Sequence, residues 1–88
     1  MNYFVYIIKT RPGYYKKTYV GYTNNLKKRL LAHNKSLGAK STKGYKWSIV
    51  FKKRFSSKSE AMSYEYYLKK NYYLRKKILQ KKYKNSLF

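Results

Sequence analysis

Cysteine is absent from these 88 residues, which excludes disulfides, a thiolate zinc site and a cysteine-ligated iron–sulfur cluster. Stability then has to come from packing alone, and a reducing cytoplasm is the simplest setting. Acids are almost missing as well: two Asp or Glu stand against 23 Lys or Arg, a formal net charge of +21. A chain so unbalanced repels itself unless it meets a polyanion, so nucleic acid is the expected partner ahead of a membrane surface. Nucleotide bias in a genome can also enrich Lys, Tyr, Asn and Ile, but it does not by itself remove glutamate. Long apolar runs are lacking too. Residues 1–10 are apolar without a basic leader or a small-residue cleavage site, and their uninterrupted stretch is far too short to span a bilayer. They read as a buried strand of a soluble chain.

What is present fits one small domain over residues 1–88, with a modest core. Apolar residues make up 43%, but 13 are tyrosines, which are amphipathic and often half exposed. Residues 3–9 have the Val, Ile and aromatic content of a strand. Arg11-Pro12-Gly13 is turn chemistry, and residues 18–22 form a second strand, so the pair predicts an antiparallel hairpin. Residues 25 to about 35 read as a helix with Thr23 or Asn24 as N-cap. Residues 38–44 form a polar, basic loop. Residues 47–55 follow as a third strand, whose odd-numbered apolar residues fit one half-buried face. Ser57-x-x-Glu60 is a capping box opening a second helix. Residues 71 to about 83 form a basic third helix, with Tyr72 or Tyr73, Ile78 and Leu79 as candidate anchors.

Two helix faces carry residues that do not belong on an ordinary core stripe. At 3.6 residues per turn, Leu26, Arg29, Leu30 and His33 share one face, so a cation and the single histidine sit among core leucines. Such a face suits a phosphate. Ala61, Tyr64, Glu65 and Leu68 share another, which puts one of the two acids on an apolar stripe. A carboxylate there is expensive without a partner, and it calls for a cation, a metal ion or a hydrogen-bond network.

Taken in order, these blocks resemble the GIY-YIG nuclease superfamily, in particular its small stand-alone branch. Phe4-Val5-Tyr6 stands for the first half of the name motif and Tyr19-Val20-Gly21 for the second. The stretches L-K-K-R-L-L-A-H-N (Leu26–Asn34), K-S-T-K-G (residues 40–44) and S-E-A-M-S-Y-E-Y-Y-L-K-K (residues 59–70) resemble the later blocks, and the motif core spans about residues 3–70. Phe4 replaces a glycine of the name motif, and valine replaces isoleucine in both halves. The resemblance implies an α+β fold: a small three-stranded antiparallel sheet flanked by helices in the order β-β-α-β-α-α.

It also implies an activity, a metal-dependent endonuclease that hydrolyses phosphodiester bonds in DNA, branched or damaged DNA included. Glu65 would hold one divalent ion, Mg²⁺ or Mn²⁺, since a hard cation suits carboxylate, phosphate and water oxygens. Arg29 would clamp the scissile phosphate, Tyr6 would activate or orient the attacking water, and Tyr19 would order the network beside it. His33 would assist in proton handling or contact phosphate, and Gly21 would let the backbone pass close to the site. Lys40, Lys43 and Lys46 could line a track for the nucleic-acid backbone, with Tyr45 and Trp47 available for stacking on unpaired bases. A partner protein could supply specificity.

Ordinary alternatives exist for each residue. Tyr6 and Tyr19 can be core tyrosines, Arg29 a solvated helix arginine, His33 a helix C-terminal cap and Gly21 a turn residue. Glu65 can form a structural ion pair with Arg29 or a lysine, and the loop lysines can be a solvated surface. At the level of function, the alternatives are a silent nucleic-acid-binding module that kept the fold and a basic accessory protein of a ribonucleoprotein. A pure binder would not need Tyr6, Tyr19, Arg29 and Glu65 together.

Overall fold

Val5-Tyr6-Ile7-Ile8 is apolar at four successive positions because the strand it forms is covered on both faces. In the computed structural model, which describes residues 2–86 and side chains to residue 80, this strand is β1 (Tyr3–Thr10). It is the middle strand of an antiparallel sheet of order β2-β1-β3, between β2 (Thr18–Thr23) and β3 (Trp47–Phe55). The helices are α1 (Leu26–Asn34), α2 (Lys58–Lys70) and α3 (Tyr72–Ser86), and a single 3₁₀ turn, Lys40–Thr42, precedes β3. This is the α+β order expected from the sequence. None of the described helices is long and apolar enough to cross a membrane.

Strand periodicity sorts β1 between two layers. Val5 and Ile7 pack with Val20, with Ala61 and Leu68 of α2, and with Leu74, Ile78 and Leu79 of α3. Tyr6 and Ile8 pack on the opposite side with Trp47, Tyr19, Ile49 and the α1 leucines, Leu26 and Leu30. A reacting group on the Tyr6 side therefore lies under α1, while α2 and α3 cover the other side.

The hairpin between β1 and β2 matches expectation: Thr10 takes Lys17 N–H on its hydroxyl at 3.1 Å, and Gly13 adopts φ 95° in the turn. Several other expectations need correcting. The odd-numbered residues of β3 do not form one face. A register shift between Ile7 and Ile8 leaves Ile7 opposite Phe51 and Ile8 opposite Ile49. The extra residue, Val50, turns with Phe51 and Phe55 toward α2 and α3, whereas Trp47 and Ile49 stay on the α1 side. The N-cap of α1 is Asn25, whose Oδ1 accepts from Lys28 N at 3.1 Å, rather than Thr23 or Asn24. Thr23 acts one step earlier, with its hydroxyl accepting from Asn25 N at 3.1 Å.

Ser57 caps α2 as expected and accepts from Glu60 N at 3.2 Å, but the Glu60 carboxylate returns to the Ser57 hydroxyl at 3.0 Å instead of the backbone N–H. Tyr72 and Tyr73 are not anchors of α3, being 60% and 81% exposed; Leu74 joins Ile78 and Leu79 in that role. Asn71 caps α3 through Leu74 N at 3.0 Å, and Arg75 donates to the Leu68 carbonyl at 2.7 Å and to that of Lys69, fixing α3 against the end of α2.

Trp47 is 1% exposed, so it is core and not a platform for unpaired bases. Its indole N–H donates to the Thr42 carbonyl at 3.0 Å, while the Asn34 side chain accepts from Trp47 N at 2.6 Å. Trp47→Phe keeps an apolar ring but leaves the Thr42 carbonyl unpaired. We expect a loss of about 1–3 kcal/mol, read as a lower urea midpoint with an unchanged slope.

Candidate active site

Gly21 lies directly across the ladder from Tyr6. A Cβ at Gly21 would stand 2.5 Å from the Tyr6 hydroxyl oxygen, 2.7 Å from its Cζ and 3.0 Å from Tyr19 Cε2. The missing side chain is what lets both phenols lean over β2. Their ring centroids are 6.4 Å apart, and Tyr19 is 5.1 Å from the His33 ring. The α1 stripe supplies the partners from above: Leu26 and Leu30 pack, which turns Arg29 and His33 toward the phenols. Arg29 Nε donates to the Tyr6 oxygen at 3.3 Å, and that oxygen lies 2.8 Å from His33 Nε2. Four of the five proposed catalytic residues, Tyr6, Tyr19, Arg29 and His33, thus form one connected cluster.

Burial sets the electrostatics of this cluster. Tyr6 is 1% exposed and its phenol is pushed up to about 12, chiefly by burial, with the Arg29 hydrogen bond and charge pulling it back. His33 is fully enclosed and is pushed down to about 4, first by burial and then by the Arg29 charge. The Arg29 guanidinium is held further toward its charged form by donating to Tyr6. At neutral pH the phenol and the imidazole are both uncharged, and Arg29 carries the positive charge. His33 does not reach solvent, so a phosphate meets Arg29 and not the imidazole.

The histidine gives stability a pH dependence of definite sign. Its folded pKa of about 4 lies below the ordinary 6.5, so the unfolded chain binds the extra proton. Its contribution to stability is complete above about 6.5 and is lost as pH falls toward about 4. Thermal melts should fall across that window in wild type and change less in His33→Gln.

Glu65 stands at the flank of the cluster. Its side chain is 17% exposed and pairs with Lys69 Nζ at 3.2 Å, and that ammonium lies 5.8 Å from the Tyr19 ring centroid. The carboxylate is close enough to Tyr6 to add a small upward push to the phenol. The pair with a lysine is the ordinary alternative raised by the sequence, and it sits beside the phenols. No group of three or more His, Cys, Asp or Glu exists among the described residues, which argues against an all-protein metal cage. A single accessible carboxylate fits a hard ion that keeps most of its shell for water and phosphate oxygens.

The loop lysines are exposed and do not enter the cluster. Lys46 donates to the Asn34 carbonyl at 2.6 Å, closing the end of α1. Lys40 begins the 3₁₀ turn and Lys43 follows it, and Lys17 reaches the same turn through the Ser41 carbonyl at 3.3 Å. Tyr45 is half-buried with the Lys17 ammonium 4.7 Å from its ring centroid.

Two residues at this end escaped the sequence reading. Thr42, wholly buried in what read as a polar loop, has its hydroxyl 2.9 Å from His33 Nδ1. Gly38 lies flat against the His33 ring, where a Cβ would collide with Nδ1 and stand 2.9 Å from Cε1. Thr42 is the one β-branched residue in K-S-T-K-G, a signal that could have separated it from its neighbours.

A catalytic-domain profile described as GIY-YIG matches residues 2–83, and the chain belongs to that family, whose members are nucleases that generally use divalent metal ions. Within it, the chain is similar to the small UPF0213 proteins. UPF0213 protein YazA of Bacillus subtilis is 40% identical over 86 residues, covering 97% of this chain and 84% of that one. A UPF0213 protein of Clostridium perfringens is 48% identical over 71 residues, 80% of this chain and 72% of the relative. The solution NMR structure of a UPF0213 protein from Bacillus halodurans has a TM-score of 0.50 at 34% identity, covering 92% of this chain and 84% of that chain.

Proposed function

We propose that the chain is an endonuclease that hydrolyses phosphodiester bonds in DNA, branched or damaged DNA included, with one Mg²⁺ or Mn²⁺ held by Glu65. The observation that carries this reading is the Tyr6 hydroxyl, buried yet fixed between His33 at 2.8 Å and Arg29 at 3.3 Å. A fold kept only for binding gains nothing from a polar chain built through its core, where each polar atom must be satisfied.

Chemistry follows from the directions of these groups. Arg29 spends its Nε–H on Tyr6 and has further N–H groups to bind phosphate oxygens and to offset charge as the transition state forms. Tyr6 orients the attacking water through the Arg29 guanidinium that its oxygen holds in place, while Tyr19 closes the cluster on the β2 side. A divalent cation, when bound, supplies positive charge at the phosphate and acidifies water. Lys40, Lys43 and Lys46 bind backbone phosphates away from the reacting bond. The chain works as one domain, in the cytoplasm, and takes any sequence preference from nucleic-acid shape or a partner protein.

The test is a cleavage panel of supercoiled plasmid, duplex, flap, junction and single-stranded substrates with Mg²⁺ or Mn²⁺. Nicking in the presence of either ion is expected. Binding without cleavage of any substrate would favour the silent module instead. Affinity should fall steeply as salt rises, because each phosphate neutralised releases counterions.

A further inference from the structure

We infer that Thr42 is a positioning residue: it holds His33 in the tautomer with the proton on Nδ1, so that Nε2 anchors the Tyr6 hydroxyl proton and the Tyr6 oxygen is left as the acceptor for Arg29. The inference rests on the reading of Tyr6 as the residue that orients the water.

The two ends of the hydrogen-bond chain fix its direction. At one end Arg29 can only donate, so the Tyr6 oxygen accepts from Nε at 3.3 Å. The Tyr6 proton then goes to His33 Nε2 at 2.8 Å, which must be unprotonated to receive it. A neutral imidazole with a bare Nε2 carries its proton on Nδ1, and Nδ1 donates to Thr42 Oγ1 at 2.9 Å. Thr42 in turn donates its own proton to the Ala39 carbonyl at 2.8 Å, and a carbonyl can only accept. Every link runs one way, from guanidinium to carbonyl.

Reversing the chain breaks it at both ends. His33 Nε2–H and Arg29 Nε–H would converge on one phenol oxygen whose own proton points at neither. Thr42 would also have to withdraw its proton from Ala39. The surroundings hold the imidazole in place: Gly38 lies against the ring, and the Tyr19 ring stands 5.1 Å away between centroids. Thr42 itself is pinned by the 3₁₀ turn, with its N–H on the Ala39 carbonyl at 3.1 Å, and by the Trp47 indole on its own carbonyl at 3.0 Å. A tyrosine presented this way needs no deprotonation to act. Its proton is occupied, and its oxygen accepts from Arg29, which fixes the guanidinium that a phosphate would meet.

The chain has one histidine, so long-range ¹H–¹⁵N spectra report its tautomer without assignment. At pH 7, wild type and Thr42→Ser should show Nδ1 protonated and Nε2 bare. Thr42→Val keeps the shape but cannot accept from Nδ1, and should give a mixed or reversed tautomer. In the plasmid assay, Thr42→Val should lower kcat about tenfold to a hundredfold with KM little changed, and Thr42→Ser should restore it. A wild-type imidazole protonated at Nε2, or a folded Thr42→Val with an unchanged tautomer, would overturn the inference. Should Thr42→Val not fold, the wild-type and Thr42→Ser spectra still decide the direction. The tautomer is read without substrate or metal. A reversed tautomer in a protein that nicks DNA sinks the role of Thr42 alone, and the predicted tautomer in a protein that nicks nothing sinks the nuclease reading alone.

Discussion

Glu65→Gln should abolish nicking while leaving affinity for nucleic acid unchanged or higher. The two side chains have nearly the same shape, and the ion pair with Lys69 is partly solvent-exposed, so stability should change by about 1 kcal/mol or less. Chemistry has much more to lose. Glu65 is one of two acids in the chain, and the other, Glu60, is engaged with the Ser57 hydroxyl at the start of α2. Without Glu65 no carboxylate remains to hold a hard cation beside Tyr6 and Tyr19, and the rate should fall by about three orders of magnitude or more. Binding should not suffer, since removing a negative charge from a chain of net charge +21 can only favour a polyanion. Plasmid nicking and a filter-binding titration on the same preparation separate the two effects. Retained cleavage would remove Glu65 from the mechanism.

Gly21→Ala should cost about a hundredfold in rate without unfolding the protein. The added methyl would stand 2.5 Å from the Tyr6 oxygen and 3.0 Å from Tyr19 Cε2, so one or both phenols must swing away from Arg29 and His33. Gly21 has no positive φ, and alanine is acceptable to its backbone; the damage is therefore confined to what leans over it. Circular dichroism should show an intact fold, while the single His33 resonance shifts as its contact with Tyr6 opens. Normal activity in a folded Gly21→Ala would mean that the phenols have room the structure does not give them.

Much of this arrangement was legible because the signals are local. The unbroken apolar run of β1 and the i, i+3, i+4 spacing of Arg29 and His33 against Leu26 and Leu30 placed the strand and the helix face that carries the cation and the imidazole. Ser57 and Glu60 marked the start of α2 in the same way. What escaped depends on contacts the chain makes across a loop or across the sheet. Thr42 matters only because the 3₁₀ turn folds it back onto His33. Among Thr23, Asn24 and Asn25, three short polar side chains in a row can each cap a helix, and only in the folded chain is it Asn25 whose Oδ1 reaches Lys28 N. The bulge at Val50 carries no glycine or proline to announce it. Tyr72, Tyr73 and Trp47 misled for one shared reason: an amphipathic ring is content on either side of the surface, and its polar atom decides. The Trp47 indole finds the Thr42 carbonyl inside, whereas Tyr72 and Tyr73 stay out in water.

Tyr6 belongs to the central strand and is walled in on both sides, so its position is inherited from the whole sheet and not from a mobile loop. Heating such a protein offers no intermediate in which the machinery has come apart while the scaffold survives. The Tyr6–His33–Arg29 contacts and the folded state should disappear together, at a single temperature, and return together on cooling.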